Sequence, residues 1–465
     1  MIGARRPRPS ASRALTLGLV SALLVGLVGL ASYASTGTAL AHGARASAST
    51  TLRIWYATDD PTERPWAREL VQRYAAGRRS VNVALSIYGL DAMNDKMQLA
   101  LGAGNPPDLV YTTPRGPGLP AYVRAGKLLD LSAAARHANW AGALRPGLLA
   151  GYNSLLATNG GSRDSGKTYA VPYDMAAVGV LYNKTLFGKL HLAVPRTLAD
   201  FNAVCARVKR AGLTPIGLGN ADGWVGDDLY LTLANALAGP SSLTAELRLN
   251  PSFSFKGAPF IQAAQTLQSW SQDNYFTHEF GGLDAQDAVE AFFAGRTAMQ
   301  LVSSSENSQI LSHVHDAGVN VGIFAFPSAK GGQRPVMPQS GYAGWAVPTR
   351  SRNVAAATDF ISYVTSAPTA RLLLAHGMVP AHPVDTRSLD AATPFQRDYI
   401  AALDAAEPGV YLDSAPIPNI NATMEANVQL LLQNVEAPGF LVRSLQDVYA
   451  SRGAHASSTR TDGEF

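Results

Sequence analysis

The stretch of this chain that most resembles a reaction centre is Gly161 to Thr168, GSRDSGKT, which has the G-x-x-x-x-G-K-[ST] spacing of a phosphate-binding loop. Such a loop holds phosphates only between a buried strand and a helix whose first amides face the ligand. Here the preceding LLATNG is no apolar strand, and in the following TYAVP Pro172 bars an immediate helix. The segment reads instead as a Gly- and Ser-rich hairpin loop. Other chemistries lack their spacing. The nine histidines are scattered without a His-Glu-x-x-His pair, so no metal is expected. No Gly-x-Ser-x-Gly marks a nucleophilic serine. The lone Cys205 lies in the helical pattern FNAVCARVKR and reads as a small core residue. A glycosidase carboxylate pair carries no signature of its own, so that chemistry stays open. No cofactor motif remains, and none is expected.

The residues suited to binding are more productive. A sugar ring has apolar C–H faces and a rim of hydroxyls, so its site needs flat aromatics with Asp, Asn, Glu or Arg at the edges. Several loops carry that mixture at the ends of expected strands. Trp55 to Asp60, with Asp59, follows the first strand. Thr112, Thr113 and Arg115 follow LVY, and Tyr173 and Asp174 follow AVP. Asn220, Asp222 and Trp224 follow IGLG, and Ser305, Glu306 and Asn307 follow MQLV. Gln339 to Tyr342 precede GWAVP. In α/β sheets, ligands sit outside the carboxyl ends of strands. Trp224, among Gly and Asp in an expected loop, is hard to explain as packing.

The elements that must hold these loops alternate as strand and helix. LRIWY (52–56), Val81 to Ile87 and Leu109 to Tyr111 read as strands, with helical spacing at Trp66 to Ala76 and Met93 to Leu101. This βαβ pattern predicts a parallel sheet covered by helices. Tyr169 to Phe187 reads as two strand patterns broken by Pro-Tyr-Asp, and PRTLADF as a helix start. Further helices are expected at 198–211, 229–237, 260–270, 285–294, 355–363 and 369–376, and at 424–449 with a break at Pro438-Gly439. Strands are expected at 297–302, 320–326 and 344–347.

The first 41 residues read as an export signal. Arg5, Arg6, Arg8 and Arg13 form a basic start, Ala14 to Leu30 carries no charge, and Ala39-Leu40-Ala41 fits a cleavage site. Cleavage and an uncleaved anchor are both open, and no Cys stands there to be lipid-modified. Of 38 basic and 34 acidic residues, those four arginines lie in the signal, which leaves 34 of each beyond it. The basic balance therefore belongs to the signal and gives no warrant for nucleic-acid binding.

Seven segments in order resemble the family 1 extracellular solute-binding proteins of ABC importers, the maltose-binding-protein-like group. They are LRIWY, GAGNPPDLV (102–110), GKLLDL (126–131), GKTYAVPYDMAAVGVLYNKTLF (166–187) with PRTLADF, FFAGRTAM (292–299), GYAGWAVPTRSRNVAAATDFISYVTS (341–366) and HGMVPAH (376–382). The resemblance implies two hinged α/β lobes of the type II periplasmic-binding-protein fold, with a ligand cleft between them. It implies a first lobe from 50–171 and 304–350 and a second from 172–303 and 351–451, while the polar end RGAHASSTRTDGEF by itself reads as a disordered tail at 452–465. By position it makes Thr112, Thr113 and Arg115 first-lobe contacts, and Tyr173 and Asp174 contacts past the first hinge crossing. It makes Asn220, Asp222 and Trp224 second-lobe contacts, joined by Glu306 and Tyr342. The implied protein is an exported, monomeric, non-enzymatic receptor for a sugar, which it delivers to membrane permease subunits. A polyamine or other non-sugar solute is the alternative, since Asp59, Asp60, Asp174, Asp222 and Glu306 supply acids. A secreted glycan-active enzyme is the third reading.

Overall fold

A computed structural model describes residues 49–58, 63–113, 119–157, 166–240, 243, 253–317, 319–385, 387, 392–411, 417 and 419–458. The expected signal at 1–41, Asp59, Asp60, Arg115 and most of the GSRDSGKT loop lie outside them. Among the described residues, no helix is long and apolar enough to cross a membrane.

Two sheets organise the chain. In the first, β1 (Thr50–Ala57), β2 (Val81–Tyr88) and β3 (Leu109–Thr112) run parallel, and β10 (Gly344–Ala346) lies antiparallel between β3 and β4 (Ala170–Pro172). The parallel trio follows from the βαβ alternation, because a parallel pair needs a crossover and a helix supplies it. The second sheet has the order β11 (Glu407–Gly409), β9 (Val336–Gly341), β5 (Met175–Asn183), β7 (Thr297–Ser303), β6 (Thr214–Gly217). β8 (Val321–Phe324) pairs with the far half of β5. Side chains alternate across β5: Ala176, Val178 and Val180 join one apolar core, and Met175, Ala177 and Leu181 the other. β5 is thus buried on both faces, which is why it reads as a continuous apolar run.

The helix start in PRTLADF is a capping box. Thr197 Oγ1 accepts from the Asp200 N–H at 3.1 Å, and Asp200 Oδ2 accepts from the Thr197 N–H at 3.0 Å, opening helix Leu198–Arg210. Cys205 on that helix is fully buried, and burial pushes its thiol up. Gly166-Lys167-Thr168 leads directly into β4, not into a helix.

The structure departs from the expected lobe boundaries. Residues 304–350 contribute only β10 to the first sheet, since β8 and β9 belong to the second. β9 reads in sequence as a polar loop because Pro338, Gln339 and Ser340 interrupt its apolar pattern. Helix Val354–Val364, expected in the second lobe, packs against the first sheet's helices. Its Phe360 meets Tyr74 with ring centroids 4.9 Å apart, and its Ser362 accepts from Trp140 Nε1 at 2.9 Å. Helix Pro394–Ala405 packs on the second sheet, where Tyr399 donates to the Ala177 carbonyl at 2.8 Å. The last helix, Pro438–Ser458, continues past residue 452, where the tail was expected to begin.

The chain passes between the sheets beside itself. β4 leads through Tyr173-Asp174 into β5, and β9 leads through Tyr342-Ala343 into β10. These crossings are bonded together: the Tyr173 N–H donates to the Ala343 carbonyl at 3.0 Å and the Tyr342 N–H to the Asp174 carbonyl at 3.1 Å. A third extended segment lies alongside, with the Met175 N–H on the Val379 carbonyl at 2.8 Å and the Ala381 N–H on the Tyr173 carbonyl at 3.0 Å.

Candidate functional site

The carboxyl end of β3 and the start of β5 both adjoin the crossings, and β7 ends opposite that start, with Ser303 paired to Val178. Strand ends of this kind are where open α/β sheets bind ligands. Thr112, Tyr173, Asp174, Tyr342 and the turn of Glu306 lie in or next to this region, yet several are already engaged.

Tyr173 is only 2% exposed. Its ring stacks on Trp345, with centroids 5.8 Å apart and planes 27° apart, in an aromatic block with Tyr56 and Tyr111. Its hydroxyl lies 3.4 Å from that of Tyr56, which in turn donates to Glu63 at 3.2 Å. Tyr173 is therefore core at the crossing and not an open ligand platform. Asp174, 7% exposed, accepts the Ala343 N–H on Oδ1 at 2.8 Å. Burial holds its carboxyl well above the usual carboxylate range, with the nearby Glu63 charge acting the same way and the Ala343 N–H opposing both. Thr112 is buried, and its hydroxyl is 3.2 Å from that of Tyr152, which donates to the Thr112 carbonyl at 3.0 Å. Thr113, one residue on, is half-buried.

Asn220, 1% exposed, organises the loop after β6. Its Oδ1 accepts from the Gly226 N–H at 2.7 Å, and its Nδ2 donates to Gln429. Trp224 is not in a loop: it is the first residue of helix Trp224–Ala238 and is half-buried. The turn that makes this possible is Gly223, whose φ of 86° suits glycine, and the Asp222 before it is exposed. Backbone bonds from Asn220 to Phe280 and from Ala221 to Leu283, both 2.8 Å, tie the loop to the next connection. A hollow of about 520 Å³ opens there between Glu279–Gly282 and Leu432-Gln433. A second hollow of about 850 Å³ lies at the far end of β5, around Tyr182, Lys184 and Asp398, away from the crossings.

Glu306 is 4% exposed and folded back on its own turn, accepting from the Ser303 N–H and the Ser305 hydroxyl, both at 2.7 Å. Burial raises its carboxyl to about 7. The same turn reaches the crossing, because the Ser304 hydroxyl donates to the Met175 carbonyl at 3.1 Å. Tyr342 is half-buried and packs against both cores, and the exposed Ser305 completes the rim.

Of the expected residues, then, Thr113, Asp222, Trp224 and Tyr342 retain exposed surface, while Thr112, Tyr173, Asp174, Asn220 and Glu306 are buried supports. Glu63 and Glu425 were not expected. Glu63 opens a helix, where an acid reads as an ordinary first-turn residue. Glu425 lies mid-helix, and no local signal marks it.

The chain resembles several characterised proteins. It is 26% identical over 235 residues to the multiple sugar-binding protein of Streptococcus mutans, over 50% of this chain and 54% of that one. It is 22% identical over 338 residues to the melibiose/raffinose/stachyose-binding protein MelE of Bacillus subtilis, over 72% of this chain and 75% of that one. The chain thus spans about half of the first relative's length. Its fold matches a probable secreted solute-binding lipoprotein from Streptomyces coelicolor with a TM-score of 0.70 at 18% identity, covering 86% and 98% of the two chains. It matches the apo-form of RafE from Streptococcus pneumoniae with a TM-score of 0.68 at 18% identity, covering 87% and 98%. Residues 59–371 match the family described as bacterial extracellular solute-binding protein. Two sheets joined by paired crossings, together with a match over most of its length, make this chain a member of the bacterial extracellular solute-binding protein family.

Proposed function

We propose that this protein is the exported receptor of an ABC importer and that its solute is a sugar or small oligosaccharide. The observation that carries the reading is the paired crossing at Tyr173-Asp174 and Tyr342-Ala343, which joins two sheets by short backbone segments and suits them to hinge. A solute that touches both lobes only when they close shifts the open–closed balance by its difference in affinity for the two states. The closed form then docks on membrane permease subunits. The names of the curated relatives support a sugar. Trp224 serves as the stacking face, with Thr113, Asp222 and Tyr342 at the ring's edges. Asp59 and Arg115, outside the described residues, are proposed as further solute contacts. The protein works as a monomer without catalysis.

Isothermal titration of the secreted chain against mono-, di- and trisaccharides, with spermidine as the non-sugar arm, tests this. Saturable sugar binding is expected. Binding of spermidine with silence across the sugars overturns it in favour of a cationic solute.

A further inference from the structure

Helix Ile420–Leu432 lies against helix Trp224–Ala238. Its Gln429 is engaged by Asn220, and one turn earlier the stem of Glu425 lies on Gly223. A Cβ at Gly223 would stand 3.2 Å from Glu425 Cβ and 3.4 Å from its Cγ. Glycine at 223 therefore allows the carboxylate-bearing side chain to sit directly beside the start of the Trp224 helix. Glu425 is half-buried and has no hydrogen bond or ion pair among the described residues, and the same holds for the exposed Asp222 on the other side of Gly223. Asn421 is four residues before Glu425 and so on the same helix face. Its Oδ1 is buried and accepts no hydrogen bond.

The two carboxylates and the Asn421 oxygen are acceptors with no donor partner among the described residues. Segments 170–183, 214–238, 297–309, 336–346 and 419–434 form both crossings, the ends of β6 and β7, and this helix. They contain no Lys or Arg, although the chain has 38, and they carry Asp174, Asp222, Asp227, Asp228, Glu306 and Glu425. Unpaired acceptors beside an aromatic face are best satisfied by a ligand rich in donors. An ammonium has three donors and a charge that gains from both carboxylate and indole.

We propose that Glu425, lying on Gly223 at the start of the Trp224 helix, selects with Asp222 a saccharide bearing a protonated amine over its neutral and carboxylated counterparts. This rests on the saccharide reading above and names the charge class of the solute. A carboxylated sugar brings a like charge beside Glu425 and Asp222, with no Lys or Arg in these segments to offset it, and is disfavoured.

The test is titration of the full exported chain with matched sets: cellotriose, its fully de-N-acetylated triamino counterpart and its uronate form, and galactose, galactosamine and galacturonate. In at least one set the amine is expected to bind about tenfold or more tighter than the neutral sugar, with the gap shrinking as salt rises and no measurable uronate binding. In Glu425→Gln and, separately, Asp222→Asn the gap should narrow, while thermal melting reports that each variant is folded. Equal binding of amine and neutral sugar, uronate binding, or an undiminished gap in both variants overturns the proposal and leaves the saccharide reading standing. Silence from every sugar overturns both.

Discussion

The side chain of Asp174 reaches across the two crossings to accept the backbone N–H of Ala343 at 2.8 Å, while the Asp174 carbonyl takes the N–H of Tyr342 at 3.1 Å. One residue thus binds the second crossing through both its main chain and its side chain. Its burial raises the carboxyl's pKa, and the Ala343 N–H offsets part of that cost. A residue that reads in sequence as a solute contact is the staple of the proposed hinge.

Removing the staple should loosen the crossing. Asp174→Ala leaves the buried Ala343 N–H unpaired and is expected to lower stability by about 1–3 kcal/mol. Asp174→Asn keeps an acceptor and should lose less. Urea unfolding measures both, and small-angle scattering should find the Ala variant more open. Identical curves for wild type and Asp174→Ala would remove the staple from the account.

The buried Glu306 predicts a pH signature. Its carboxyl titrates near 4.5 when unperturbed and is raised to about 7 in the fold. Between those values the folded state keeps a proton that the unfolded chain has lost. Stability therefore falls as pH rises through that window and is flat above it. Glu306→Gln cannot ionise, so its difference from wild type should change by about 2 kcal/mol between about pH 5 and about pH 7.5. Denaturant unfolding at about pH 5 and about pH 7.5 checks this, and parallel behaviour of the two proteins would count against it.

Asn220 should matter to binding without touching the solute. Asn220→Ala leaves the Gly226 N–H without its acceptor and frees Gln429. A stability loss of about 1–2 kcal/mol is expected, with weaker binding because the Trp224 helix start is no longer held. Unfolding and titration read the two effects separately. Intact stability with lost affinity would make Asn220 a direct contact instead.

Trp224→Ala should weaken sugar binding by about 1–3 kcal/mol if the indole is the stacking face. Phe in its place should recover most of the affinity. An unchanged dissociation constant in the Ala variant would take Trp224 out of the site.

Gly219 tests how tightly the loop after β6 is docked. A Cβ there would lie 1.8 Å from the Asp284 carbonyl oxygen, so backbone must move. Gly219→Ala is expected to cost stability near the upper end of about 1–3 kcal/mol. A variant with wild-type melting would show that this connection yields freely.

Periodicity and capping chemistry act locally, and so much of the fold is legible in the residues. The apolar run at Ala176 to Leu181 marks a buried strand, and Thr197 and Asp200 mark a helix start; both form as read. The motif order from LRIWY to HGMVPAH carries the family. Sheet membership is different, because backbone pairing depends on partners far along the chain. Val336–Gly341 has no strand pattern and becomes β9 only because the edge of β5 is there to pair with it. Exposure is likewise decided in three dimensions. Tyr173 and Asp174 look like binding residues by type, and the stacking of Trp345 and the approach of Ala343 make them buried parts of the crossing. Glu425 reads as an ordinary helical acid until Gly223, some two hundred residues earlier, brings it beside Trp224. Residue types and spacing determined which elements form and which family they build. Only tertiary contact decided which side chains are spent on holding the lobes together and which are left for a solute.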